Sequence, residues 1–203
     1  MERCMATDGL SARERILGAA GDLFADRGYN GVSIADIAEA GAISTGLVYY
    51  HFKDKESLYE SVVREGLHLL EEAAVATLGA EGRPTDRLES FIHSYMALLE
   101  GHAALMRLLI RSVTDVSSPA PGQVLTRSAV TVDRLRSVIE EGVSSSEFRP
   151  VDTYLAATAL FAIVNTVITA RVLDTPLSET GGGSIEERAR SMTRLFLEGV
   201  RAC

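Results

Sequence analysis

The chain has 203 residues, of which 46% are hydrophobic and 24% charged, and its formal net charge is −8 at pH 7. These proportions are typical of a folded soluble protein and differ from the high charge and low apolar content of disordered chains. The acidic balance argues against a protein that coats nucleic acid through bulk electrostatic attraction, so any DNA binding must be local.

Neither a disulfide nor a metal site is expected, because Cys4 and Cys203 lie at opposite ends of the sequence without a CxxC or Cys/His cluster. The first residues lack the apolar segment of a secretory signal. Residues 153–170 are uncharged and approach the roughly 20 residues of a membrane span, but threonines recur through them, and Asp152 and Arg171 bound them. We therefore expect a cytoplasmic protein with no membrane partner, in which this stretch is a helix buried in a core or a subunit interface.

Helical patterns run through the whole chain and no alternating strand pattern interrupts them, so the predicted fold class is all-α. Serine N-caps, an S-x-x-E capping box at Ser11 and closing glycines define the first helices. Four helices are predicted at residues 11–28, 33–41, 44–53 and 55–78. The two short helices after a supporting helix have the organisation of a helix-turn-helix unit.

Segments rich in Gly, Pro, Ser or Asp divide the rest of the chain into five more helices. These helices are predicted at residues 87–100, 102–116, 123–141, 153–173 and 185–201, which gives about nine in all. The predicted domains are residues 1–54, a helix-turn-helix DNA-binding domain, and residues 55–203, a larger ligand-binding and dimerisation domain. The two parts share the helix that begins at Lys55.

The start of the third helix is suited to an anionic partner. No acidic residue lies between Glu39 and Asp54. Ser44 and Thr45 place hydroxyls beside the open N–H groups of a helix N-terminus, where phosphates and base edges can be met. Gly46 has no side chain and lets the backbone approach the wall of a DNA groove.

The side chains of the third helix predict one exposed and one buried face. Tyr49 and Tyr50 point about 100° apart, so both cannot be buried in one small core. A tyrosine hydroxyl can bind a phosphate, His51 adds a donor beside it, and Leu47 is suited to a thymine methyl group. Taken alone, the two tyrosines and the histidine would sooner be core residues, and only the complete motif favours DNA contact.

Four further residues hold or position this helix. Val48 and Phe52 are expected to face its support. Lys55 lies in the first turn of the next helix, where its charge and the local N–H groups can grip a phosphate together. Ser33, at the start of the second helix, can do the same across the groove.

The run G-Y-N-G-V-S-I-A-D-I-A-E-A-G, followed by S-T-G-L-V-Y-Y-H-F-K-D-K-E-S-L, closely resembles the DNA-binding domain of the TetR family of regulators. With the first helix, the resemblance covers residues 11–58. It implies an Ω-shaped homodimer with two recognition helices in successive major grooves, and repression that a ligand relieves. It assigns DNA contact to Ser33, Ser44, Thr45, Gly46, Leu47, Tyr49, Tyr50, His51 and Lys55.

The sequence departs from the family pattern at Thr45, where many members have a basic residue, so one charged DNA contact is absent. Residues 142–152 resemble the family's turn before the eighth helix. The last two helices differ from the others in apolar width, since residues 153–173 are nearly uncharged and residues 185–201 carry Met192, Leu195, Phe196 and Val200 on one stripe. The resemblance implies that both pair with their symmetry mates in a four-helix homodimer interface.

The effector pocket is predicted among the middle helices, for a small and largely apolar molecule. We expect the effector to favour one arrangement of the helix that begins at Lys55 and so to move the recognition helices out of register with DNA. Candidate pocket residues are Phe91, Tyr95, Met96, Leu99, Met106, Leu109, Ile110, Tyr154, Phe161 and Asn165.

Two other functions stay open from the residues. Glu65 and His68 form an E-x-x-H motif of the kind found in dimetal helical bundles, with Glu89, His93 and His102 further along, but the second E-x-x-H is missing. No other catalytic motif is found, so no enzyme activity and no cofactor are predicted. The other alternative is a helical small-molecule-binding protein with a degenerate helix-turn-helix.

Overall fold

The computed structural model describes residues 11–173 and 184–200, without the side chains of Leu99, Arg171 and Ile185. The described residues form nine α-helices, which confirms the predicted all-α fold. The helices are α1 Ala12–Arg27, α2 Ile34–Ala40, α3 Thr45–His51, α4 Lys55–Leu78, α5 Pro84–Gly101, α6 Ala103–Thr114, α7 Pro121–Ser144, α8 Thr153–Val172 and α9 Ile185–Val200.

Two helices extend beyond their predicted boundaries. The helix α5 begins at Pro84, three residues early, because proline at the first helical position lacks only an N–H that would have no helical partner. The helix α7 continues through Gly142 to Ser144. A Cβ on Gly142 would clash with the ring of Phe148, so this glycine makes room for a buried ring and does not end the helix.

The chain divides into two compact units, and the division falls inside α4. The N-terminal unit contains the residues up to Gly66 together with Ala104–Val124, and the C-terminal unit contains Leu67–Ala103 and the residues from Leu125 onwards. The predicted domain boundary between residues 54 and 55 does not coincide with this division. Most of α6 belongs to the N-terminal unit although it follows α5 in the chain.

In the N-terminal unit, α1, α2 and α3 pack on one another around a small core. Its fully buried side chains include Ile16, Phe24, Ile37, Val48 and Leu58. The helix α4 approaches α6 closely at Gly66, where an added Cβ would clash with the Leu105 side chain. The short helices therefore rest on α1, and α4 packs against α6.

In the C-terminal unit, α5 packs against both α8 and α9. The buried side chains of this unit include Leu88, Ile92, Leu135, Val164 and Leu197. This layer of three helices contains the cavities described below.

Candidate nucleic-acid interface and effector cavity

Side-chain caps fix the N-termini of α2 and α3. The Ser33 hydroxyl accepts from Asp36 N at 3.2 Å and lies 2.6 Å from Asp36 Oδ2, to which it donates. The hydrogen bonds that the Ser33 hydroxyl and the Ser33 N–H donate to the Asp36 carboxylate hold its pKa below its ordinary value. The Ser44 hydroxyl accepts from Leu47 N at 3.2 Å. The hydroxyl hydrogen of Ser44 is therefore open to a DNA phosphate, whereas that of Ser33 is directed at a carboxylate.

The two faces of α3 are as different as the sequence predicts. Val48 is fully buried and Phe52 is 6% exposed, so this side holds the helix on its support. Tyr49 is 57% exposed and Tyr50 81% exposed, and the Tyr50 ring meets the His51 ring edge-on at 5.1 Å. Such large exposed aromatic side chains on a capped two-turn helix are available to a partner.

The predicted DNA contacts divide by exposure into two groups. Leu47, His51 and Lys55 are half-buried. The exposed group comprises Ser33, Ser44, Thr45, Gly46, Tyr49 and Tyr50. Most of the predicted contact residues are therefore accessible at the N-termini of α2 and α3 and along the outer face of α3.

Arg15 holds the turn between α2 and α3, a role that the sequence analysis missed. Its Nη2 donates to Ala42 O at 2.7 Å and to Gly41 O at 3.0 Å, and its Nε donates to Gly41 O at 3.3 Å. Ala42 has a φ of 50°, a left-handed conformation that costs a non-glycine residue free energy. The guanidinium stabilises this strained turn and so fixes the direction in which α3 leaves α2.

Lys55 also binds the backbone. Its ammonium donates to Tyr29 O at 3.0 Å and to Val32 O at 3.1 Å, and it lies 4.3 Å from the centre of the Tyr29 ring. An ammonium has three N–H donors, so one remains for a phosphate. The first role of Lys55 is to tie the start of α4 to the loop before α2.

A buried chain of hydroxyls connects α4 to α6. The Ser118 hydroxyl donates to Tyr59 Oη at 3.4 Å, and Tyr59 Oη lies 2.8 Å from Ser112 Oγ. Since the Ser112 hydroxyl donates to Leu108 O at 2.8 Å, the tyrosine hydroxyl is the donor to Ser112. The Tyr59 ring also packs edge-on against Phe24 of α1 and against Tyr29.

A cavity of about 200 Å³ lies in the C-terminal unit between α5, α8 and the start of α9. Its apolar wall comes from Met96, Ala103, Val167, Ile168 and Val172, and its two charged residues are Glu100 and Arg188. Among the predicted effector residues whose side chains are described, Met96 alone lines this cavity.

The other predicted effector residues lie elsewhere. Phe91 and Tyr95 stack at 4.9 Å, with Phe161 6.2 Å from the Tyr95 ring, and Asn165 Nδ2 donates to Phe161 O. Burial raises the pKa of Tyr95. Tyr154 is 58% exposed on the surface, so it forms no wall of the cavity described above. The Leu99 side chain lies outside the described residues, and Met106, Leu109 and Ile110 belong to the N-terminal unit.

The helices α8 and α9 form an apolar groove on the surface of the C-terminal unit. Its walls include Leu155, Ala159, Ile163, Met192, Leu195 and Phe196. Leu155 is 64% and Leu195 68% exposed. Among the described helices, α8 is the one that is long and apolar enough to cross a membrane. Only 28% of its stretch Thr153–Ala170 is buried in the single chain. This stretch is therefore not a core helix of the single chain.

The described residues contain no group of three or more His, Cys, Asp and Glu side chains able to hold a metal ion. His68 of the E-x-x-H motif lies 3.4 Å from Glu72, and Glu65 pairs with Arg13 at 3.3 Å. Both side chains therefore lie beside surface partners in this structure.

The fold and the exposed α3 define a helix-turn-helix DNA-binding protein with a separate helical unit. Residues 16–62 match the family model of bacterial regulatory proteins of the tetR family, and residues 81–200 match that of the tetracyclin repressor-like C-terminal domain. The chain belongs to the TetR family and is a ligand-responsive, DNA-binding transcriptional regulator. Repressors of this family bind operator DNA and small-molecule effectors and function as dimers.

Similar proteins include the transcriptional repressor KstR2 of Mycolicibacterium smegmatis, which is 30% identical over 69% of this chain and 69% of that protein. Two solved structures share the fold. FadR from Bacillus subtilis, in complex with stearoyl-CoA, has a TM-score of 0.77 and 20% identity over 93% of this chain and 99% of that chain. AibR, in complex with isovaleryl coenzyme A and operator DNA, has a TM-score of 0.73 and 21% identity over 91% of this chain and 97% of that chain.

Proposed function

We propose that this regulator is a repressor that binds a palindromic operator with α3 in the major groove. The observation that supports this most directly is the outer face of α3, where Tyr49 and Tyr50 are 57% and 81% exposed beside a capped N-terminus. Exposed aromatic and hydroxyl groups are suited to phosphates, sugars and thymine methyl groups. A dimer presents two such helices about 34–36 Å apart, one turn of DNA.

The proposed contacts fall into two classes. Groups at helix N-termini and hydroxyl-bearing or charged side chains position the protein on phosphates, and side chains within the groove read bases. Phosphate contacts are assigned to Ser44, Thr45, Tyr50 and Lys55, close backbone approach to Gly46, and contacts inside the groove to Leu47, Tyr49 and His51. At Ser33, whose hydroxyl donates to Asp36, the phosphate contact is assigned to the backbone N–H groups in the first turn of α2.

The dimer forms, in this proposal, through α8 and α9. Their exposed apolar groove would cost free energy in water, and an isologous interface with the same groove of a second copy removes it from solvent. The low burial of α8 in the single chain supports the same interface.

The proposed effector is an acyl thioester of coenzyme A, which releases the operator by binding the C-terminal unit. Support comes from the two similar regulators in complex with stearoyl-CoA and isovaleryl coenzyme A. In this proposal the protein acts by binding alone and catalyses no reaction. It acts in the cytoplasm, where a bacterium regulates its genes.

Selection from a library of random duplex DNA tests this proposal. The purified full-length protein should enrich a palindrome whose half-sites lie about one helical turn apart. Failure to enrich any sequence at low salt would refute operator binding and favour a small-molecule-binding protein with a degenerate helix-turn-helix.

A further inference from the structure

The cavity between α5, α8 and α9 limits the size of the part of the effector that can be buried in it. We infer that it takes a short or branched acyl group, with the rest of the effector outside. This inference rests on the proposed acyl-thioester effector and adds to it the length of the acyl chain.

The volume of the cavity limits the number of ligand atoms that it can hold. A dry cavity of about 150 Å³ lined by aliphatic and aromatic side chains holds one benzene ring. At the same packing, the 200 Å³ measured for this cavity accommodates roughly eight non-hydrogen atoms. An isovaleryl or hexanoyl group fits this space, whereas a stearoyl group is more than twice as large.

The lining of the cavity combines apolar side chains with two charged ones. Met96, Val167 and Ile168 offer only carbon and sulfur atoms, and Ile168 is 3% exposed. Glu100 and Arg188 are the charged members of the lining. The acyl chain packs, in this inference, against the apolar side chains, and the more polar remainder of the ligand lies toward Glu100 and Arg188.

A chain-length series tests the inference. The probes are coenzyme A thioesters with acetyl, isovaleryl, hexanoyl, octanoyl, dodecanoyl and stearoyl groups, together with the matching free acids and free coenzyme A. Release of the selected, fluorescently labelled operator is followed by anisotropy. The lowest half-maximal concentration should fall between isovaleryl and octanoyl, and stearoyl should need about tenfold more because its chain cannot be buried.

Two variants of the cavity wall test the same inference by changing the volume of the cavity in opposite directions. Val167→Phe fills the cavity and should raise the half-maximal concentration of the best thioester about tenfold. Ile168→Ala enlarges the cavity and should move the optimum toward longer acyl chains. The matched control is Val75→Phe, which makes the same change at a valine of α4 that is 42% exposed and outside the lining.

The outcomes distinguish a failure of the short-chain inference from a failure of the proposed thioester effector. Potency that rises steadily to stearoyl, or a Val167→Phe variant that responds like Val75→Phe, would overturn the short-chain inference and leave the thioester effector standing. Equal release by free coenzyme A would overturn the acyl site itself. If the free acids release the operator as well as the thioesters do, the acyl site is supported and the head group of the effector is a carboxylate. No release by any of these compounds refutes the effector class and the inference with it.

Discussion

Arg15 and Lys55 both direct a cationic group at backbone carbonyls of the helix-turn-helix segment. Arg15 binds the carbonyls of Gly41 and Ala42, and Lys55 binds those of Tyr29 and Val32. In each case the partner lies more than 20 residues away along the chain. A carbonyl has no signature in the sequence, so these two positioning roles could not be predicted from the residues alone.

The salt dependence of operator binding distinguishes a positioning cation from a phosphate contact. Arg15→Ala should lower operator affinity about tenfold, because the turn before α3 loses its hydrogen bonds. Its slope of log affinity against log salt should stay at the wild-type value, since no phosphate contact is removed. Lys55→Ala should also lower the affinity, and it should reduce the slope by about one through loss of the proposed phosphate contact.

Affinity titrations at four salt concentrations measure both slopes. A reduced slope for Arg15→Ala would show that its guanidinium reaches DNA. An unchanged slope for Lys55→Ala would limit that residue to its bonds with the backbone.

The exposed side chain of Tyr50 gives a second prediction at this scale. Tyr50→Ala should weaken operator binding about tenfold through loss of the proposed phosphate contact, while the free energy of unfolding changes by less than about 0.5 kcal/mol. The control is Leu125→Ala, at an exposed position of α7. Unfolding by urea and operator titration measure the two quantities, and an operator affinity equal to that of the control would remove Tyr50 from the interface.

At the scale of helices, local signals predicted the structure well. Each of the first three helices begins at the serine that the sequence indicates, because capping depends on residues three positions apart. The start of α5 and the end of α7 were misplaced. In α7 the sequence shows a glycine where a helix often ends, and only the packing of Phe148 explains why this helix continues.

The hydroxyl chain between α4 and α6 is a tertiary feature that no periodicity reveals. Tyr59→Phe keeps the ring but leaves the Ser118 hydroxyl without its acceptor and Ser112 without its donor. The free energy of unfolding should fall by about 1–2 kcal/mol. Tyr50→Phe, which removes an exposed hydroxyl, is the control and should be neutral by the same urea titration. Equal stability of both variants would show that this chain contributes nothing to holding α4 against α6.

At the scale of the whole molecule, the resemblance of one short motif predicted more than the composition did. The family, the all-α fold and the regulatory function were confirmed. The compact units could not be read from the sequence, because α6 joins a unit whose other helices precede it by many residues. The predicted effector residues stay a prediction, because apolar residues of α5, α6 and α8 look alike in sequence whether they line a cavity or fill a core.

The proposed dimer gives a prediction at this scale. Leu195→Glu places a charge in the α8/α9 groove and should convert the dimer to a monomer in analytical ultracentrifugation. Operator affinity should then fall by at least about a hundredfold, because two linked recognition helices bind far more tightly than one. Leu125→Glu places the same charge at an exposed leucine outside the groove, and it should remain dimeric. A dimeric Leu195→Glu protein would place the interface elsewhere.

The claim that the outer face of α3 reads the operator is tested most directly by repeating the selection from random duplex DNA with a Leu47→Gln variant. Glutamine binds adenine through two hydrogen bonds, whereas the leucine is suited to a thymine methyl group. The preferred base should change at one position in each half-site, symmetrically, and the rest of the palindrome should be retained. Recovery of the wild-type sequence unchanged would contradict the account, because it would mean that α3 does not face the bases.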